Sequence, residues 1–338
     1  MSNLFTNIIH DVRIAHTINS EYLENILIKK EVDDIKLLWG VAPTGPMQIG
    51  YITPISKLLD FMNLGFDINL IIADLHAYLD DKKSGLETLN IRTEYYEHCF
   101  KALGLRDDTI KYIYGTNDIH LNRDYLEELF TLSAESKLDE MWKSFVTTLR
   151  INDFPTVSAF IYTLMQILDV KYLNADLVLV GEDELPIYRY GKKLLKQAYN
   201  YNFAVLSAPV LHDITGYEKM SCSNKDRSIV IHDPPNIIRD KVASSFCPPK
   251  SLSNNMCIDI VKYMLFPNIG YIDIDSQTVN NLENFLEMYN KQEISSKELK
   301  NYVSNSLIEL LKPVREYFSD KLELIERAQS VRYDTYEV

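Results

Sequence analysis

The chain has 338 residues, of which 46% are hydrophobic and 25% charged, and its formal net charge is −13 at pH 7. This composition excludes a disordered or fibrous chain, and no apolar run approaches the ~20 residues of a membrane span. We therefore expect a cytoplasmic protein with no membrane partner, and an acidic chain of this kind needs a locally basic face to bind nucleic acid.

The first 80 residues predict a strand, loop, helix, strand unit. An N-terminal helical segment ends near Lys30, with Ser20 as a possible N-cap. Residues 35–40 form a consecutive apolar run, which is typical of a strand buried on both faces. A loop rich in glycine and proline precedes a helix from Ile52 to Gly65, and residues 68–73 form the parallel partner strand. The loop and the helix N-terminus form a natural site for an anionic ligand.

Strands and helices continue to alternate up to about residue 210. Helices are predicted at 85–103, 125–148, 162–168 and 186–198, strands at 110–114, 176–180 and 204–210, and a polar loop at 117–124. This order indicates an α/β fold with a Rossmann-like parallel sheet. Beyond residue 228 only helical patterns occur, at 235–246, 258–265, 279–289 and 299–318. We therefore predict one domain over residues 1–229 and a smaller helical domain over 230–338.

Three motifs in this framework resemble those of tyrosyl-tRNA synthetases of the archaeal and eukaryotic type. They read LLWGVAPTGPMQIGY at 37–51, ADLHAYLD at 73–80 and KMSCS at 219–223, and the similarity continues at 162–176 and 298–318. The resemblance implies a ligase that joins an amino acid to ATP as an aminoacyl adenylate. It also implies a catalytic first domain, a second domain similar to an anticodon-binding domain, and a homodimer.

The resemblance assigns an ATP site to three segments. Its residues are Thr44, Gly45, Gln48, Gly50 and Tyr51, then Gly181 and Asp183 for the ribose, and Lys219, Met220, Ser221 and Ser223 for the phosphates. Gln48, Lys219 and Ser221 are the expected catalytic residues. Gln48 replaces a histidine of the family, so it can donate a hydrogen bond to phosphate but carries no charge. Mg²⁺ is expected with the ATP phosphates, with no dedicated set of protein ligands.

The amino-acid pocket is matched only in part. Its expected residues are Leu38, Gly40, Ala73, His76, Tyr162, Gln166, Asp169 and Glu184. Tyr162 and Gln166 match the residues that hold the substrate amino group, and Asp169 matches the acceptor for the tyrosine phenol. Leu38 replaces the tyrosine that partners this aspartate, and Glu184 replaces a glutamine. His76 lines the wall or only packs. The substrate is therefore tyrosine held less selectively, or another amino acid whose side chain donates to Asp169.

The expected RNA contacts are weaker than the adenylate motifs. Residues 134–150, where relatives carry clustered basic residues, contain three acids and three bases, and Glu298 takes the position of an aspartate that reads the anticodon. We therefore expect an enzyme that activates tyrosine or a related amino acid for an acceptor other than tRNA, or less selectively than for tRNA: a small molecule, a peptide or a carrier protein. The alternatives are a genuine tyrosine–tRNA ligase and a ligand-binding relative without catalysis.

Overall fold

The computed structural model describes residues 2–80, 88–145, 155–222, 224–274 and 277–330. These residues fall into two units. The first contains the chain up to Gly45, Leu58–Ala208 and the chain from Leu324, and the second contains Pro46–Lys57 and Pro209–Glu323. The predicted division at residue 229, with its assignment of roles to two domains, stays a prediction.

A six-stranded sheet forms the centre of the first unit. Its strands are β1 (His16–Ile18), β2 (Lys36–Val41), β3 (Asp67–Ile72), β4 (Ile110–Tyr114), β5 (Leu177–Gly181) and β6 (Ala204–Ala208). The spatial order is β1-β6-β5-β2-β3-β4, and every pair is parallel except β1 with β6. The chain runs from β2 to one side and returns to β5 on the other, so the order reverses between β2 and β5. The predicted Rossmann-like α/β fold is confirmed.

The described helices include counterparts of the predicted ones, together with two, at 74–79 and 322–330, that the sequence did not predict. They are α1 (Ser2–Ile9), α2 (Ser20–Lys29), α3 (Ile52–Leu64), α4 (Asp74–Leu79), α5 (Leu89–Ala102), α6 (Arg123–Glu135), α7 (Leu138–Phe145), α8 (Val157–Tyr172), α9 (Leu185–Tyr199), α10 (Pro235–Ser244), α11 (Met256–Ile260), α12 (Phe266–Ile269), α13 (Leu282–Asn290), α14 (Ser296–Leu310), α15 (Lys312–Tyr317) and α16 (Leu322–Ser330). None of them is long and apolar enough to cross a membrane.

The core of the first unit lies on both faces of the sheet. The central strand β5 is buried along Leu177–Val180, and β3 along Ile68–Ile72. Helix α8 packs against the sheet through fully buried side chains such as Ile167 and Leu168. Burial on both faces explains why the strand sequences are continuous apolar runs.

Three local predictions were wrong. β1 was missed, because a three-residue strand carries almost no periodic signal. The predicted helix 125–148 is broken at residues 136–137 into α6 and α7. The predicted polar loop 117–124 contains a π-helical turn over Gly115–His120. Asp118 closes that turn, because its carboxylate accepts the backbone N–H of Tyr114 at 2.8 Å.

The second unit is mainly helical, as predicted, but it also contains an antiparallel hairpin. Strands β7 (Ile272–Ile274) and β8 (Gln277–Val279) pair in a region where the sequence predicted no strand. Helix α14 begins with a capping box: Ser295 Oγ accepts from the backbone N–H of Glu298 at 3.2 Å, and the Glu298 carboxylate accepts from the N–H of Ser295 at 2.7 Å. Glu298 thus stabilises a helix N-terminus.

Candidate active site

A cavity of about 390 Å³, counting space open to solvent, lies in the first unit at the carboxyl ends of β2 and β5. This is the point where the strand order reverses, which is where open α/β sheets bind ligands. All eight residues predicted for the amino-acid pocket line it, together with Val41, Ala42, Ile71 and Tyr188. The structure therefore brings the predicted amino-acid residues together around one cavity.

One end of this cavity offers acceptors for a cation. Helix α8 presents Tyr162 and Gln166, four residues apart, and Gln166 Nε2 donates to the Tyr188 hydroxyl at 3.3 Å. Gln166 Oε1 is buried without a hydrogen-bond partner. Burial, followed by the charge of Glu184, raises the pKa of Tyr162 well above its usual value, so its phenol stays neutral. A carboxylate, an unsatisfied amide oxygen and neutral phenols suit a substrate ammonium group.

The same cavity also contains a buried carboxylate. Asp169 is 4% exposed, and its Oδ1 accepts a hydrogen bond from the Tyr125 hydroxyl at 2.6 Å. The Nε2 of His120 lies 3.2 Å from the same oxygen and 3.3 Å from Oδ2. Burial alone raises the pKa of Asp169, but the charge and hydrogen bond of His120 bring it below its usual value. Asp169 is therefore ionised at neutral pH, with buried Leu38 in the same cavity wall.

His76, which is part of α4, lies close to the carboxylate of Asp169. It is 2% exposed, and neither ring nitrogen has a hydrogen-bond partner. Its ring centroid is 4.8 Å from that of Tyr162, in an edge-to-face arrangement, and 5.0 Å from that of His120. Burial, with the charge of His120, lowers the pKa of His76 to about 3. The imidazole is therefore neutral at physiological pH, with one donor and one acceptor.

The predicted phosphate loops lie together in the second unit. Gln48 caps a 3₁₀ turn over Ile49–Tyr51 by accepting the backbone N–H of Gly50, and its Nε2 donates to the carbonyl of Met220 at 3.4 Å. Ile49 N–H also donates to the carbonyl of Ile229 at 2.9 Å. A Cβ at Gly50 would lie 2.6 Å from Gln48 Oε1, so only glycine admits this cap. The Gln48 side chain therefore ties one loop to the other.

The KMSCS segment is held at both sides. Met220 N–H donates to the carbonyl of Leu211 at 2.7 Å, and Lys219 pairs with His212 in an isolated antiparallel bridge. The hydroxyl of buried Ser228 donates to the carbonyl of Ser221 at 2.7 Å and accepts its N–H at 3.3 Å. Ser223 lies outside the described residues.

The four remaining predicted ATP residues lie in the first unit. Thr44 and Gly45 follow β2 in the first unit, Gly181 ends β5, and Asp183 lies in a 3₁₀ turn over Glu182–Glu184. They do not line the amino-acid cavity. Their roles stay predictions.

Three polar residues in or beside the cavity lining were not predicted: His120, Tyr125 and Tyr188. His120 follows β4, and the carboxyl ends of parallel strands meet at one edge of a sheet. That rule could have drawn attention to a histidine near this position. Tyr125 and Tyr188 gave no such signal, because each lies within a helical pattern.

Comparison with known proteins identifies the family of the chain. The model of the family described as "tRNA synthetases class I (W and Y)" matches residues 30–312. The tyrosine–tRNA ligase of Haloarcula marismortui is 30% identical over 96% of this chain and 97% of its own length. That of Methanocaldococcus jannaschii is 31% identical over 89% and 96%.

A solved structure is also similar over nearly the whole chain. The tyrosyl-tRNA synthetase of Archaeoglobus fulgidus, crystallised with L-tyrosine, has a TM-score of 0.84 at 28% identity, covering 93% of this chain and 98% of that one. Family, sequence relatives and fold thus give one answer. The chain belongs to the class I tRNA synthetases of the tryptophan and tyrosine group and is a ligase that adenylates an amino acid.

Proposed function

We propose that the protein is a tyrosine–tRNA ligase, which activates tyrosine with ATP and transfers it to tRNA. The observation that carries this proposal is the single cavity lined by all eight residues predicted for the amino-acid pocket. The tyrosine–tRNA ligases among its relatives support tRNA as the acceptor, and so favour this function over transfer to another acceptor.

The first half-reaction needs no covalent intermediate on the protein. An oxygen of the tyrosine carboxylate bonds to the α-phosphorus of ATP, the bond from that phosphorus to the bridging oxygen breaks, and pyrophosphate leaves. Catalysis then depends on positioning and on positive charge at the phosphates. Lys219 supplies that charge in this proposal, and Mg²⁺ arriving with ATP adds to it.

The two phosphate loops suit this task. Gln48 links them through the Met220 carbonyl, so the loop carrying Gly50 and the loop carrying Lys219 are fixed to one another. Gly50 has no side chain, so the Gln48 amide can occupy the space that a Cβ would take and hold this loop in place. The amide of Gln48 serves mainly as a brace, so Lys219 carries most of the charge stabilisation.

The amino-acid cavity supplies the remaining contacts. Glu184, Gln166 and Tyr162 receive the ammonium group, and Asp169 accepts a hydrogen bond from the phenol. Glu184 gives the ammonium a full negative charge, where the family has an amide. The stronger attraction for the ammonium group compensates in part for the affinity lost at Leu38, which replaces a polar partner of the phenol.

One observation favours testing an acyl acceptor other than tRNA. Two lysines near the expected acceptor-stem face are paired with acids: Lys193 with Glu140 at 2.6 Å and Lys143 with Asp139 at 3.6 Å. Paired lysines attract phosphate less strongly than clustered free ones. Transfer to a small molecule, peptide or carrier protein is the alternative. The homodimer and the cytoplasmic location stay predictions.

Exchange of labelled pyrophosphate into ATP, measured with each of the twenty amino acids in turn, tests this function. We expect exchange with tyrosine above all others. Exchange that is absent with every amino acid would refute catalysis. Exchange with tyrosine without charging of total tRNA would leave activation intact and assign the acyl group to another acceptor.

A further inference from the structure

The region around Asp169 contains more polar atoms than its internal hydrogen bonds use. Both ring nitrogens of His76 and Nδ1 of His120 are buried without a partner. Buried polar groups are nearly always satisfied, and an unsatisfied one costs about 1–3 kcal/mol. The two ring nitrogens of His76 therefore indicate a polar ligand in the cavity. Of the three neighbouring residues His76, His120 and Asp169, only His76 and Asp169 line the cavity.

Two hydrogen bonds hold the carboxylate of Asp169 in place. Tyr125 and His120 both hold the carboxylate from outside the cavity lining, at 2.6 Å and 3.2 Å. Tyr125 stays protonated as a donor, because burial and the charge of Asp169 raise its pKa well above the usual value. His120 and Tyr125 are thus positioning residues, and the carboxylate still has lone pairs for a donor in the cavity.

The polarity of His76 complements that of Asp169. An ionised carboxylate only accepts, whereas a neutral imidazole can donate through one ring nitrogen. A hydroxyl between them can donate to the carboxylate and accept from the imidazole at once. Leu38, at the position of the missing tyrosine partner, can do neither.

We infer that His76 and Asp169 together recognise the side-chain hydroxyl of the substrate amino acid. His76 acts as the hydrogen-bond donor, a role that the apolar side chain of Leu38 cannot fill. This inference rests on the proposed binding of an amino acid in the cavity. His76 is a specificity-determining residue in this assignment.

A metal ion would be a different occupant of the same cluster. Ligand atoms of His76, His120 and Asp169 lie within 4.8 Å of one another. A tetrahedral zinc ion with bonds of 2.0–2.2 Å brings its ligand atoms to about 3.4 Å apart. The His120–Asp169 pair fits that spacing, but the spread of the set is wider. The geometry therefore favours a hydroxyl over a metal.

Binding measured without ATP tests the inference separately from catalysis. Equilibrium dialysis gives the ratio of the dissociation constants for phenylalanine and tyrosine in the wild type, in His76→Leu and in His76→Gln. We expect the wild type to prefer tyrosine strongly. His76→Leu should lower the ratio about ten- to hundred-fold, by weakening tyrosine and leaving phenylalanine unchanged. His76→Gln, which retains a donor, should recover part of the preference.

A matched control and a ligand series complete the experiment. His16→Gln makes the same chemical change on an exposed strand edge and should leave the ratio unchanged. 4-Aminophenylalanine keeps a donor for Asp169 but accepts poorly from His76. It should bind the wild type between phenylalanine and tyrosine, which tests the pair even if His76→Leu does not fold.

Two results would overturn the inference. The first is an unchanged preference for tyrosine in folded His76→Leu, or a wild type that binds phenylalanine as well as tyrosine. The second is one equivalent of zinc in the purified wild type that His76→Leu loses, which would assign the cluster to a metal. A wild type with the expected binding but no pyrophosphate exchange would refute the proposed function alone.

Discussion

Gly115 is the position where one added methyl group should disturb both stability and the cavity. A Cβ built there would lie 2.6 Å from Nδ1 and 2.7 Å from Cε1 of His120, and 2.9 Å from Oδ1 of Asp74. Cβ contacts below 3.0 Å essentially never occur, and the two neighbours are 0% and 1% exposed. Asp74 Oδ1 also accepts from the N–H and the hydroxyl of Thr116, each at 2.8 Å. Neither side chain has room to withdraw without losing a contact.

Gly115→Ala should therefore lower the free energy of unfolding by about 1–3 kcal/mol, the usual cost of overpacking. It should also weaken tyrosine binding, since a displaced His120 no longer holds Asp169. Urea denaturation gives the first quantity and equilibrium dialysis the second.

The double variant with His120→Ala isolates the cause. It removes two of the three close contacts, so Gly115→Ala should cost clearly less in that background. An unfolding free energy within about 0.5 kcal/mol of the wild type in Gly115→Ala would refute the reasoning. So would equal costs in both backgrounds.

Three further predictions test other parts of the account. Lys219→Ala should reduce pyrophosphate exchange at least about 10²-fold while tyrosine binding stays unchanged, and retained exchange would rule out its charge as the main support for pyrophosphate. Ser295→Ala should lower the free energy of unfolding by about 1 kcal/mol through loss of the helix cap, and Glu298→Ala should act in the same direction; a stability unchanged by either would contradict the capping role. Because burial lowers the pKa of His76 from 6.5 to about 3, the unfolded chain binds the extra proton between these values. The free energy of unfolding of the wild type should then rise between about pH 3 and 6.5, with a slope of up to about 1.4 kcal/mol per pH unit. It should rise less steeply in His76→Gln. Equal slopes in the two proteins would contradict a buried neutral imidazole.

Much of the fold was predictable because its signals are local. The strands β2 and β3 are continuous apolar runs, and Gly65 ends the helix between them with a positive φ of 90°. The strands β1, β7 and β8 are three residues long, too short for any period to show. Pairing with a distant segment stabilises such strands, and that pairing is invisible in the sequence around them.

The site divides in the same way. The resemblance assigned eight residues to an amino-acid pocket, and all eight line one cavity, although their binding role stays a prediction. It did not locate His120 or Tyr125, whose roles depend on how a π-helical turn and α6 approach Asp169 in space. The structure adds a contact for Gln48 that the sequence did not predict: its amide braces two loops through the Gly50 N–H and the Met220 carbonyl. The catalytic role of Gln48 stays a prediction. A substitution that reads as a lost charge in the sequence has a structural function in the fold.

Charging of tRNA is the measurement that tests the central claim most directly. Purified protein, ATP, Mg²⁺ and labelled tyrosine are incubated with total tRNA, and acid-precipitable label is counted, with Lys219→Ala as the matched control. The account predicts tyrosine-dependent charging by the wild type, loss of charging in the variant, and no comparable charging with phenylalanine. Wild-type protein that binds tyrosine and exchanges pyrophosphate but leaves every tRNA uncharged would contradict it.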